Sequence, residues 1–128
     1  MALTEADSKE TVVAQWRQLW LAHGAEDTVL LAHFWNHYAM IYAMREWTDA
    51  PTGESHREFL TAKPAQRPCR WISWAEMRGF LLQWHGYCIM RFDALAPEAA
   101  PAPMTASSPT RCWIAPPDAV LAAPQAVD

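Results

Sequence analysis

Apolar side chains recur at helical spacing in two stretches of the chain and alternate, or run together, in several shorter ones. Val12, Val13, Trp16, Leu19 and Trp20 form one stripe of a 3.6-residue period. Asp7, with Glu10 three residues on, resembles a capping box, and Gly24 after the last periodic position suits a left-handed C-cap. The pattern predicts a helix over about Lys9 to His23. A second stripe, Met77, Phe80, Leu81 and Trp84, follows Ser73-Trp74-Ala75-Glu76. Ser-x-x-Glu ahead of an apolar stripe is a helix-start signature, and Gly86 stops the pattern, so a helix over about 74–84 is expected.

The stretch from Thr28 to Trp47 holds two apolar runs, Val29–Trp35 and Tyr38–Met44, joined at Asn36-His37. Its Ala, Met, Leu and Glu content favours helix, with Leu30, Phe34, Tyr38 and Ile41 on one face. As strand, Tyr38, Met40, Tyr42 and Met44 point one way while His37, Ala39, Ile41 and Ala43 point the other. Pattern alone leaves these readings level. The following residues favour strands: Asp49 to Glu54 has Pro and Gly at turn spacing, and Arg57–Thr61 alternates behind it, as in a hairpin. Lys63–Arg70 carries two prolines and no period, a loop, and Tyr87–Phe92 is a closing strand. The expected fold class is α+β: two helices packed on one small antiparallel sheet, with strands near 29–34, 38–47, 57–62 and 87–92.

Composition divides the chain. From Ala94 onward Ala, Pro and Ser dominate; frequent proline removes backbone donors and little remains to bury, so 94–128 is expected to be a disordered tail, dispensable for folding. Within it only Cys112-Trp113-Ile114 has the apolar character to dock. Residues 1–93 then form the domain, with seven of the eight tryptophans. Each buried aromatic removes roughly 150–250 Å² from water, about 4–6 kcal/mol at about 25 cal/mol per Å², so a core without disulfides is feasible.

The net charge of −4 is mild. Arg45, Arg57, Arg67, Arg70 and Arg78 interleave with Trp47, Trp71 and Trp74, but Glu46, Asp49, Glu54, Glu58 and Glu76 cancel them, so no nucleic-acid partner is expected. The start MALTEADSKE is acidic and has no apolar h-region, and no run is long enough to span a bilayer; neither signal peptide nor membrane segment is expected, and the cytoplasm is the default location. Cys69, Cys88 and Cys112 form an odd set without C-x-x-C spacing, against a zinc site or disulfide framework. His33 and His37 would make an i, i+4 pair on a helix, but no third ligand is placed to complete it, so no metal and no cofactor is expected.

The order of these elements resembles the C-terminal half of papain-like cysteine peptidases, most closely the bacteriocin-leader-processing (double-glycine) branch. The residues that carry the resemblance are Val29–Ala32, Asn36-His37-Tyr38, Ala39–Tyr42, Ile72-Ser73 with Glu76, and Trp84-x-Gly86-Tyr87 with Ile89. It covers roughly Thr28–Phe92, through an ordered set of weak motifs. The resemblance implies that His37, at the head of a strand, matches the family's general base, which takes a proton from a Cys nucleophile and is oriented by an Asp.

The other members are missing. No Cys precedes His37, Lys63 stands where the Asp would precede Pro64, and Gln15 has no Cys behind it. Losing such a nucleophile costs roughly 10⁶ in rate. The expected function is therefore a degenerate or truncated peptidase-like domain, inactive alone, with His37 vestigial. A small non-enzymatic protein-interaction module is the alternative. In either case an exposed apolar sheet face is expected to serve a protein partner or self-association.

Overall fold

The computed structural model describes residues 1–63, 65–94 and 112–114. In chain order it contains α1 (Lys9–His23), β1 (Thr28–Phe34), β2 (His37–Met40), β3 (Ala43–Thr48), β4 (Ser55–Thr61), β5 (Arg70–Ser73), α2 (Trp74–Leu81), β6 (Cys88–Asp93) and β7 (Cys112–Ile114). The class is α+β, but the strands form two small antiparallel sheets where the sequence predicts one. Their orders are β2-β1-β6-β7 and β3-β4-β5.

The division falls inside the expected strand 38–47. The Ile41 N–H donates to the Leu30 carbonyl of β1 at 3.0 Å, and the next amide, Tyr42 N–H, donates to the Leu60 carbonyl of β4 at 2.9 Å. Consecutive residues thus hydrogen-bond to different sheets. Alternation of buried and exposed side chains runs unbroken through Tyr42, so a two-residue period cannot reveal the change of partner. Strand β5 lies where a loop through Arg70 is expected; four residues behind two prolines are too short to show a period.

Helix α1 has its predicted bounds with different caps. Ser8, not Asp7, is the N-cap, its hydroxyl accepting from Thr11 N–H at 3.2 Å. Gly24 lies in the right-handed region at φ −80°. Helix α2 starts as predicted, with Ser73 Oγ accepting from Glu76 N–H at 3.0 Å, but ends at Leu81. Gly86 belongs instead to the following turn. A Cβ there would come within 2.0 Å of the Trp84 ring, so glycine is needed for that ring's close approach to the backbone.

One core joins both sheets and both helices. Trp16 and Leu19 of α1, Leu30 and Phe34 of β1, Phe59 of β4, Ile72 of β5, Trp74, Met77 and Leu81 of α2 and Ile89 of β6 are buried in it. Phe59 meets Trp16 and Trp74 edge-on at 5.0 and 5.7 Å, and Trp74 Nε1 donates to the Val12 carbonyl at 3.1 Å, tying the helices together. The Trp16 indole N–H is buried with no partner among the described residues. An unmade hydrogen bond costs about 1–3 kcal/mol, less than the roughly 4–6 kcal/mol from burying the ring.

Asp7 builds a polar network between the N-terminal segment and both helices. Its Oδ2 accepts from Arg78 (2.6 Å), Gln15 (2.8 Å) and Thr4 N–H (3.0 Å), and its Oδ1 from the Thr4 hydroxyl (2.7 Å). Arg78 Nε donates to Gln15 Oε1 at 3.1 Å. Burial pushes the Asp7 carboxyl up, but the hydrogen bonds from Thr4, Arg78 and Gln15 together outweigh it and hold the group well below the ordinary carboxylate range. A carboxyl depressed in the fold stabilises fully above its unfolded value, about 3.9, and that stability is lost as pH falls toward the folded value. Urea unfolding of the wild type is expected to weaken progressively below about pH 4. Asp7→Asn should cost about 3 kcal/mol at pH 7, the low end for breaking a buried pair, and flatten the acid limb.

The Cys112–Ile114 segment, expected in the tail, is strand β7, with Ile89 opposite Ile114. Ile114 is wholly buried in the common core, and the Met1 ammonium donates to the Trp113 carbonyl at 2.8 Å. The expectation that everything after Asp93 is irregular therefore needs correction at these three residues; the other tail residues from 95 on lie outside the described ones. Ile114→Ala should lower the unfolding free energy by about 2 kcal/mol, the lower limit for a core Ile, because an edge strand can relax. An unchanged urea midpoint would show that β7 adds nothing to the core.

Candidate functional site

Strands β1 and β2 form a hairpin in which Phe34 pairs with His37, leaving Trp35-Asn36 as a two-residue turn. Both turn residues are left-handed, at φ 51° and 53°, as a type I′ hairpin requires. Asn tolerates this region, whereas for Trp it is an outlier costing about 1 kcal/mol or more. Packing holds the tryptophan there. Its ring lies 4.4 Å from Phe80 of α2, and its Nε1 donates to Gln83 Oε1 at 3.0 Å. The turn thus puts His37 at the start of β2 and Trp35 beside it.

The His37 ring is half-buried between the two sheets. Its Nε2 lies 3.3 Å from the Ala62 carbonyl just after β4, and a carbonyl only accepts, so Nε2 carries a hydrogen and donates. Phe34 meets the imidazole edge-on at 6.5 Å. The ring opens on a cleft of about 250 Å³ lined by Phe34, Trp35, His37, Ala39, Thr61, Ala62, Lys63, Arg70 and Ile72. Thr61 is buried, and its hydroxyl donates to the Arg70 carbonyl at 3.3 Å. Arg70 makes a loose pair with Glu76 at 3.7 Å.

The structure therefore places His37 and Lys63 in the lining of one cleft. It leaves the thiols elsewhere. Cys69 is exposed and outside the cleft lining; its backbone N–H donates to the Thr61 carbonyl at 3.2 Å. Cys88 is buried with Met90 against Leu31 on the sheet face away from the core. Cys112 lies on β7, and Gln15 is buried in the Asp7 network. His33 and His37 lie on opposite faces of the hairpin. His33 stacks on Tyr38 at 4.4 Å, with Nδ1 3.2 Å from the Gly86 carbonyl, which removes the geometry of an i, i+4 ligand pair.

Trp35, Thr61 and Ala62 were not among the candidate residues of the sequence, and Arg70 was weighed only with the other arginines. Trp35 closes the first apolar run and left no signal of its turn position; the others arrive through the β4-β5 hairpin. The opposite face of the β2-β1-β6-β7 sheet carries exposed Val29, Tyr38, Met40 and Phe92. On the second sheet, the Arg45 guanidinium sits 3.9 Å from the Trp71 ring centre and donates to Glu58 at 2.7 Å, so its charge is matched within the fold.

Fold and cleft define a small α+β domain with a histidine at the joint of two sheets. No family model matches the chain, and neither does any curated protein or solved structure. Among the described residues no helix is long and apolar enough to cross a membrane.

The turn can be tested. Asn36→Val should destabilise the protein by about 1–2 kcal/mol, since a β-branched side chain resists positive φ, while Asn36→Gly should be neutral within about 0.5 kcal/mol. Urea midpoints measure both, and equal effects would show that the turn geometry does not matter.

Proposed function

We propose that this chain is a peptidase-like domain without turnover, whose His37 cleft binds a peptide segment instead of cleaving it. The observation that carries the reading is the state of the histidine. The ring heads a strand beside an open cleft, as a general base of the papain-like kind would. Its Nε2 is held by the Ala62 carbonyl, Lys63 stands where the resemblance implies an acid, and among the described residues the cleft lining contains no thiol. The only hydroxyl among the described lining residues, on Thr61, donates to a backbone carbonyl. Without a nucleophile in hydrogen-bond reach a base has no proton to take. The resemblance across Thr28–Phe92 supports the ancestry, and the exposed Cys69 thiol fits a reducing, cytoplasmic setting.

An electrophilic thiol-peptidase probe tests this directly. Slow labelling of Cys69, unchanged in His37→Ala, is expected. Rapid labelling of Cys69 or Cys88 that His37→Ala abolishes would overturn the inactive reading.

A second reading, self-association, is favoured by the row of Val29, Tyr38, Met40 and Phe92 on the outer sheet face. An apolar patch of several hundred Å² usually marks a partner surface. Light scattering should then show a mass rising with concentration, and Met40→Glu should return the protein to monomer. A monomer at high concentration would remove this reading and leave the cleft as the interaction site.

A further inference from the structure

The cleft lining differs from the rest of the surface in the sign of its charge. Lys63 and Arg70 are both present, the His37 imidazole lies between the sheets, and no carboxylate is among the described lining residues, in a chain of net charge −4. The nearest acid to Arg70 is Glu76, a loose partner at 3.7 Å whose side chain is half exposed. Such a pair holds its arginine weakly. Phe34, Trp35, Ala39 and Ile72 supply an apolar wall in the same cleft. A volume of about 250 Å³ equals about eight waters at roughly 30 Å³ each, less than the roughly 300–1,000 Å³ of clefts that enclose a drug-sized molecule. It suits one residue.

We propose that the cleft takes the C-terminal residue of a peptide: an apolar side chain against Trp35 and Phe34, with the free carboxylate between Arg70 and Lys63. A guanidinium matches a carboxylate with two parallel N–H donors, and charge assistance roughly doubles the strength of each bond. A bare anion such as phosphate would leave the apolar wall empty. An internal peptide segment would bring no terminal carboxylate to Lys63 and the loosely paired Arg70. The proposal rests on the binding-cleft reading above and adds the chemistry of the occupant.

Calorimetric titration of the full chain at low salt with N-acetyl-alanyl-phenylalanine, and with its C-terminal amide, tests the assignment. The acid should bind at least about tenfold tighter than the amide, a ratio ordinary for one charge-assisted contact. Lys63→Gln and Arg70→Gln should each remove most of that ratio, weakening the acid more than the amide; Lys63 is exposed, so its variant does not threaten folding. An octapeptide with the same two terminal residues should bind as well as the dipeptide. Its exclusion would assign the cleft to small carboxylic acids and overturn the proposal, as would displacement of the dipeptide by equimolar inorganic phosphate. If acid and amide bind equally, and Trp35→Ala weakens both, the carboxylate assignment falls and the binding cleft stands. If neither binds, or Trp35→Ala changes nothing, the cleft reading falls with it.

Discussion

Two consecutive backbone hydrogen bonds, from Ile41 N–H to Leu30 and from Tyr42 N–H to Leu60, decide the shape of this protein. By changing partners between adjacent residues, the chain passes from one sheet into the other. Buried amides must be paired, so the crossing is constrained on both sides. The core draws on both sheets, and so does the lining of the His37 cleft.

The core gains from being shared. Trp16, Phe59 and Trp74 interlock across α1, β4 and α2, and Ile114 on the edge strand β7 is buried with them. The Asp7–Arg78–Gln15 network contributes differently. Its carboxylate and guanidinium are mostly desolvated, at 12% and 11% exposure, so the pair's attraction is offset by lost hydration. Its larger effect is positional: donors and acceptors on three segments must align, which fixes the N-terminal segment and α1 against α2. The surface pairs Arg17–Glu46 and Arg91–Asp93 lie in water and matter little.

The cleft follows from the same geometry. A left-handed Trp35 is unfavourable in isolation and persists because Phe80 and Gln83, both contributed by the α2 region, hold its ring. The helix that completes the core therefore also sets the turn that aims His37. On the far side, the β4-β5 hairpin brings Ala62, Lys63 and Arg70 to the imidazole. Around the histidine lie an apolar wall, two cations and a carbonyl that accepts from Nε2.

Much of the fold was legible in the residues themselves. The stripe from Val12 to Trp20 and the Ser73–Glu76 signature located both helices because helix periodicity and capping are local properties. Alternation located most strands for the same reason. Partner choice was not legible. Nothing in Ile41-Tyr42 announces that their amides bond to different sheets, RWIS is too short to show a period, and Ile114 is separated from Ile89, the residue it pairs with, by a stretch of Ala and Pro. The sequence by itself determined where both helices and most of the strands lie. Tertiary structure alone decided that Asp7 meets Arg78, that Trp35 is held left-handed, and that Ala62, Lys63 and Arg70 surround His37, because those contacts join residues far apart in the chain through packing that no local pattern encodes.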